Sequence, residues 1–211
     1  MLFNSIEFLI FFPVVTTLFF LVPHSWRWLL LLLASCFFYM SFKPEYILIL
    51  GFTIVIDYYA GILLENEVDP VRRKWYLIAS ICANVGVLAF FKYFNFINDN
   101  ITGLAKLFNW QNPIPHLAII LPLGLSFHTF QAMSYTIEVY WGKYKAERHF
   151  GIYALYVMFY PQLVAGPIER PQNILPQFHT RQYFNYNNVV LGLNLMLFGL
   201  FKKLVVADRL G

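Results

Sequence analysis

The sequence predicts an all-α polytopic membrane protein: a multi-helix bundle with bent or re-entrant segments lining a polar funnel. Three observations predict it. Of 211 residues, 59% are hydrophobic and 20% aromatic, and the mean hydropathy is +0.58. Only 12% are charged, against roughly 25% in an ordinary soluble domain, too few for a surface facing water. Apolar runs close to the roughly 20 residues that span a bilayer as helix recur along the chain, divided by short charged or proline-containing breaks. The same composition excludes intrinsic disorder, which needs low hydrophobicity and high net charge.

The elements follow from those runs and breaks. Residues 6–22 form the first, with Pro13 inside it, tolerable where neighbouring helices satisfy the freed carbonyl. No cation precedes Arg27, so this run reads as a retained anchor and not a cleaved signal. Residues 28–42 and 46–64 make a tight helical hairpin around Lys43-Pro44, and the charged stretch 65–74 (ENEVDPVRRK) belongs in water. The fourth run is 75–91, where Ala79 and Ala83 at four-residue spacing allow close helix approach. Residues 92–116 mix aromatics with Asn, Asp and Pro, and read as an interfacial loop with a short helix around 101–108. Residues 117–141 are apolar but broken at Pro122 and Gly124, and residues 151–168 are broken at Pro161, Gly166 and Pro167. Both suit bent or re-entrant segments enclosed by protein. Residues 189–201 close the series before Lys202 and Lys203.

The 15 Lys and Arg exceed the 11 Asp and Glu, for a net charge of +4. The cations cluster at the ends of apolar runs, which is a positive-inside pattern and no nucleic-acid footprint. If all seven apolar stretches cross, one face carries ten cations and the other five; if 151–168 is re-entrant, the division is nine to six. Either count places the N-terminus outside the cytoplasm. Cys36 and Cys82 stand alone in apolar runs and read as small buried hydrophobes.

Asp57 sits in the middle of the third run, where an ionised carboxylate costs about 2.5 to 3.5 kcal/mol. It is either a substrate or proton site, or a structural buried charge paired with a cation such as Lys92, the simpler reading. His128 is the one histidine inside an apolar run. It is either a general base on a substrate hydroxyl or a polar aromatic filling the bundle interior, again the simpler reading. No two histidines stand at metal-ligand spacing, so no metal site is expected. Gly124 and Ser126 match the first part of a GxSxG elbow, but that motif needs a strand-to-helix turn. Ser126, His128, Gln131, Gln162, Glu169 and Arg170, with Glu138, lie in or beside the two broken segments and are the candidates for the funnel.

The stretch LPLGLSFHTFQ at 121–131, followed by Ser134-Tyr135 and EVY at 138–140, resembles the membrane-bound O-acyltransferase family, in its bacterial branch of alginate O-acetylation and teichoic-acid D-alanyl transfer proteins. MLFNSIEF at 1–8, FKYFN at 91–95 and FYPQLVAGPI at 159–168 are similar to the same branch. The resemblance implies a single membrane-embedded acyltransferase domain of which residues 1–211 are the amino-terminal part. It implies that the family's catalytic histidine, in a Gly-Leu-Trp-His-Gly context, lies beyond Gly211, so that no catalytic residue falls in this chain. His128 takes a position where relatives usually carry Phe or Tyr. The implied activity is transfer of an acyl group, acetyl above all, to hydroxyls of an extracytoplasmic polysaccharide such as alginate, at the bacterial inner membrane. The partners would be the lipid bilayer, the glycan acceptor and periplasmic or membrane acetylation proteins. No cofactor is implied, and the acyl donor, an acyl-CoA or an acyl carrier, is not specified. A multi-pass transporter and a non-catalytic assembly subunit are the competing classes; inverted repeats would favour the transporter, and none is visible.

Overall fold

The computed structural model describes residues 1, 3–107, 113–116, 124–163 and 166–210. They are mainly helical and hold no strand, and among them are three helices long and apolar enough to cross a membrane: Tyr46–Asn66, Pro70–Leu107 and Tyr186–Leu210. The protein is an all-α membrane protein, as its composition requires.

Helix α1 (Ile6–Leu21) starts where the Ser5 hydroxyl accepts the Phe8 N–H at 3.3 Å, with Glu7 in the first turn against the positive end of the helix. α2 (His24–Met40) returns antiparallel, and α3 (Tyr46–Asn66) follows after Lys43-Pro44. α4 (Pro70–Leu107) begins with proline at its first position, where no N–H is needed, and the Asp69 carboxylate accepts the Val71 N–H at 3.1 Å.

α4 corrects the expected break at residue 92. It runs unbroken for 38 residues, about 57 Å at 1.5 Å per residue. Asn100 and Thr102 each bond back to the carbonyl four residues earlier, so these polar side chains are satisfied on the helix and do not divert the backbone. The proposed short helix at 101–108 is the end of α4, its last residue lying outside the described residues.

α5 (Leu125–Tyr140) starts at Gly124, whose φ of +74° is a left-handed conformation that favours glycine. The first part of the broken stretch, 117–123, lies outside the described residues. α5 packs against both α3 and α4. Gly61 permits the approach to α3, since a Cβ there would lie 2.7 Å from the Tyr135 ring.

α6 (Phe150–Met158) enters the bundle beside α2, α7 (Tyr160–Leu163) is a single turn, and α8 (Pro171–His179) follows. α6 is 9 residues long, about 13 Å, less than half the roughly 30 Å of a hydrocarbon core. Just beyond it the Tyr160 N–H of α7 donates to the Ser35 hydroxyl, about two-thirds of the way along α2, at 3.1 Å. The chain then comes back, and His179 at the end of α8 meets Glu147, just before α6, at 2.7 Å. The described residues of 151–168 therefore enter and return at the same end of the bundle, a re-entrant path. Pro161 sits in the turn, and a Cβ on Gly166 would lie 2.4 Å from the Gln162 Cα, so the return is too tight for another residue.

The re-entrant path brings Arg170 and Arg181 to the end of the bundle that holds Arg27, Arg72, Arg73, Lys74, Lys143, Lys145 and Arg148. This is the nine-to-six division of cations. Arg148 bonds Glu65 there at 2.6 Å, and Arg73 donates to the Tyr140 carbonyl at 2.8 Å. At the opposite end the Met1 ammonium donates to the Ser41 hydroxyl at 2.7 Å.

α9 (Tyr186–Phe201) runs back alongside α1 with none of its residues buried, and continues through a wider-turned stretch, Lys202–Ala207, to the last turn, α10 (Asp208–Leu210). The core lies instead among α2, α3, α5 and α6, where Tyr135, Tyr153 and Tyr156 are fully buried and the rings of Tyr135 and Tyr153 are 4.5 Å apart.

Candidate functional site

The polar candidates converge where the re-entrant segment rests on α5. Gln131 from α5 and Gln162 from α7 donate their amides to the same acceptor, the Tyr156 carbonyl, at 3.1 and 3.0 Å. The Tyr156 hydroxyl donates to the Glu169 carbonyl at 2.9 Å and lies 3.4 Å from the Ser134 hydroxyl. The Glu169 N–H reaches back to the Gln131 side-chain carbonyl at 3.4 Å. α6 ends two residues later, at Met158, so backbone carbonyls near Tyr156 lose helical partners, and side-chain amides from two other elements serve in their place.

Toward the basic end the buried Glu138 carboxylate accepts the Gln172 amide at 2.8 Å, and the exposed Arg170 guanidinium approaches it at 3.9 Å. Asn173 donates to the Glu169 carboxylate at 3.1 Å. The arrangement is a polar wall of amides, one phenol and two carboxylates, with a single guanidinium at its mouth. It can orient hydroxyl and carbonyl groups; its one paired carboxylate on α5 is held by an amide and faces a cation.

Gln131, Gln162, Glu169 and Arg170 belong to this wall, together with Glu138. Ser126 is half-buried near the start of α5, and among the described residues no hydrogen bond links it to the wall. His128 is buried one turn before Gln131, with its ring edge-on to Tyr39 at 5.7 Å. Its Nε2 has no hydrogen-bond partner among the described residues. Tyr156 and Gln172 were not among the candidates: Tyr156 looks like one more aromatic in an apolar run, and Gln172 like one more loop polar.

Asp57 is fully buried between α3, α4 and α5. The expected pairing with Lys92 does not form. Ser80 donates to the carboxylate at 2.5 Å and Asn84 to both of its oxygens at 2.8 Å, while Thr136 from α5 lies 3.4 Å from the Ser80 hydroxyl. Lys92 stands eight residues beyond Asn84, about 12 Å along the helix; it is exposed and lies over the Tyr93 ring at 5.4 Å. Ser80 and Asn84 follow Ala79 and Ala83 by one position each, so the spacing that signalled close approach ran beside the pair that uses it. Among the described residues no three His, Cys, Asp or Glu side chains converge as a metal-binding set.

Comparison with known proteins bears out the resemblance carried by the four motifs. Over 90% of its length the chain is 34% identical to the peptidoglycan O-acetyltransferase of Helicobacter pylori, covering 39% of that protein. Over its whole length it is 33% identical to the probable alginate O-acetylase AlgI of Pseudomonas aeruginosa, covering 40% of it, and 32% identical to that of Azotobacter vinelandii, covering 42%. The chain thus spans about two-fifths of the length of the curated relatives it matches. No family model and no solved structure matches it.

Proposed function

We propose that the chain is the amino-terminal part of a membrane-bound O-acyltransferase that transfers an acyl group, most simply acetyl, to hydroxyls of a polysaccharide outside the cytoplasm. The observation that carries this reading is the likeness, over nearly the whole chain, to proteins named as O-acetylases of alginate and peptidoglycan.

The geometry supports a division of labour. An activated acyl group made in the cytoplasm and a glycan hydroxyl outside it must meet within the bilayer. The re-entrant segment opens at the end with nine of the 15 cations, the cytoplasmic side by the positive-inside bias, with Met1 outside. The wall around Tyr156 then lines the donor's entrance, and the acceptor's entrance and the general base lie in residues following 211. The setting is the inner membrane, and acetylation proteins outside the cytoplasm would act with it.

The test is genetic and chemical. Deletion of the complete reading frame should remove ester-linked acetyl from the cell's extracytoplasmic polysaccharide, and complementation should restore it. Unchanged acetyl content, measured by alkaline release and quantification, would reject the reading.

A further inference from the structure

Arg27, near the start of α2, is 9% exposed. Its Nε donates to the Val22 carbonyl at 3.1 Å and its Nη1 to the Gln182 carbonyl at 2.6 Å. These bonds use two of the five N–H groups of a guanidinium. The cation lies 4.7 Å from the Phe19 ring centroid and 5.9 Å from that of Phe20. No carboxylate stands within ion-pair range among the described residues. A buried charge normally has a charged partner, and this one has only carbonyl dipoles and ring faces.

Two spaces lie beside this residue: Arg27 itself lines the first, and the second reaches it through Phe20. On the Phe19 side is a cavity of about 150 Å³ lined by Arg27, His24, Trp28, Phe159 and Phe178. The His179 carbonyl beside it is met by the His24 ring nitrogen at 3.2 Å, so it does not present an unanswered negative end. On the Phe20 side an apolar cleft runs between α1 and α9, with about 560 Å³ near Phe20, Phe184 and Gly192 and about 460 Å³ farther along, the two parts sharing Phe12, Pro13, Leu193 and Met196. The Phe20 and Phe184 rings touch at 5.5 Å.

We propose that an anionic glycerophospholipid binds here, its phosphate on the remaining N–H groups of Arg27 and an acyl chain in the cleft between α1 and α9. Charge complementarity and continuity commit the site to this occupant. A free anion would answer the guanidinium and leave the cleft empty, and a neutral lipid would fill the cleft and leave the cation unmatched. The location is the basic end of the bundle, where lipid headgroups lie.

The experiment is native mass spectrometry of the purified protein after exchange into nanodiscs of phosphatidylglycerol, phosphatidylcholine or an equal mixture, with thermal unfolding in detergent plus each lipid or inorganic phosphate. The unmodified protein should retain phosphatidylglycerol in preference to phosphatidylcholine and be stabilised by it. Arg27→Gln should weaken that preference about tenfold or more, as loss of a charged hydrogen bond does. Gly192→Leu enters the cleft where nothing lies within 4 Å of its Cβ, on a helix with no buried residue, so it tests the site without disturbing the core or the Arg27 contacts. It should lower lipid retention in a protein that unfolds normally without added lipid. Equal retention of both lipids, or unchanged retention in Gly192→Leu, would overturn the proposal. Stabilisation by inorganic phosphate as large as that by phosphatidylglycerol would reduce the site to one for small anions and overturn it equally.

Discussion

The Ser80 hydroxyl meets the Asp57 carboxylate at 2.5 Å, joining α4 to α3 with Asn84 one turn further on. Asp57→Ala should therefore lower thermal stability in detergent markedly, because it removes the buried acceptor shared by Ser80 and Asn84 and leaves them only the Thr136 hydroxyl and the Ser80 carbonyl, a loss of about 1 to 3 kcal/mol. Lys92→Ala should leave stability unchanged. Equal melting temperatures for Asp57→Ala and Lys92→Ala would show that water reaches the carboxylate.

Tyr156→Phe removes the bond to the Glu169 carbonyl and should cost about 1 kcal/mol, concentrated in the return limb of the re-entrant segment. Hydrogen exchange should speed up at residues 166–170 while the amides of α3 keep their protection. A uniform acceleration would mean that the segment unfolds only with the whole bundle.

Single cysteines in place of Lys145 and Arg181, in a background lacking Cys36 and Cys82, should label from the same side of the membrane, and a cysteine at Asp99 from the other. Impermeant maleimide on intact cells and on inverted vesicles reads this out. Labelling of positions 145 and 181 from opposite sides would mean that 151–168 spans.

Residues 1–211 alone should transfer no acyl group, and the same residues followed by the rest of the reading frame should. In that longer protein His128→Phe should keep most activity, because the buried imidazole packs against Tyr39. Abolished acetylation by a folded His128→Phe protein would make His128 the base.

The membrane class was legible from composition, and the break in 151–168 from its proline and glycine positions, though these left a crossing and a re-entrant path equally open. The run of α4 through residue 92 was not legible: Asn and Asp count as loop formers by residue type, and only the folded structure shows Asn100 and Thr102 spent on the helix's own carbonyls. The partner of Asp57 was misread for a related reason. Charge suggests charge, yet two neutral side chains one turn apart satisfy a buried carboxylate with no cation to desolvate. Gln131, Gln162, Glu169 and Arg170 were legible as a group because they flank the breaks. Tyr156 was not, since a tyrosine in an apolar run looks the same whether its hydroxyl is used or idle.

A segment that enters and leaves by one side has a consequence for how the protein is made. The polar stretch following α7, with Glu169, Arg170 and Arg181, stays on the side of the bundle from which α6 entered. The two glutamines that brace Tyr156 would be poorly placed facing lipid, so α6 and α7 can settle only once α2 and α5 stand as walls to receive them. The fold thus carries an order of assembly: α1 to α5 first, and the short pair α6 and α7 tucked in afterwards from the basic end of the bundle.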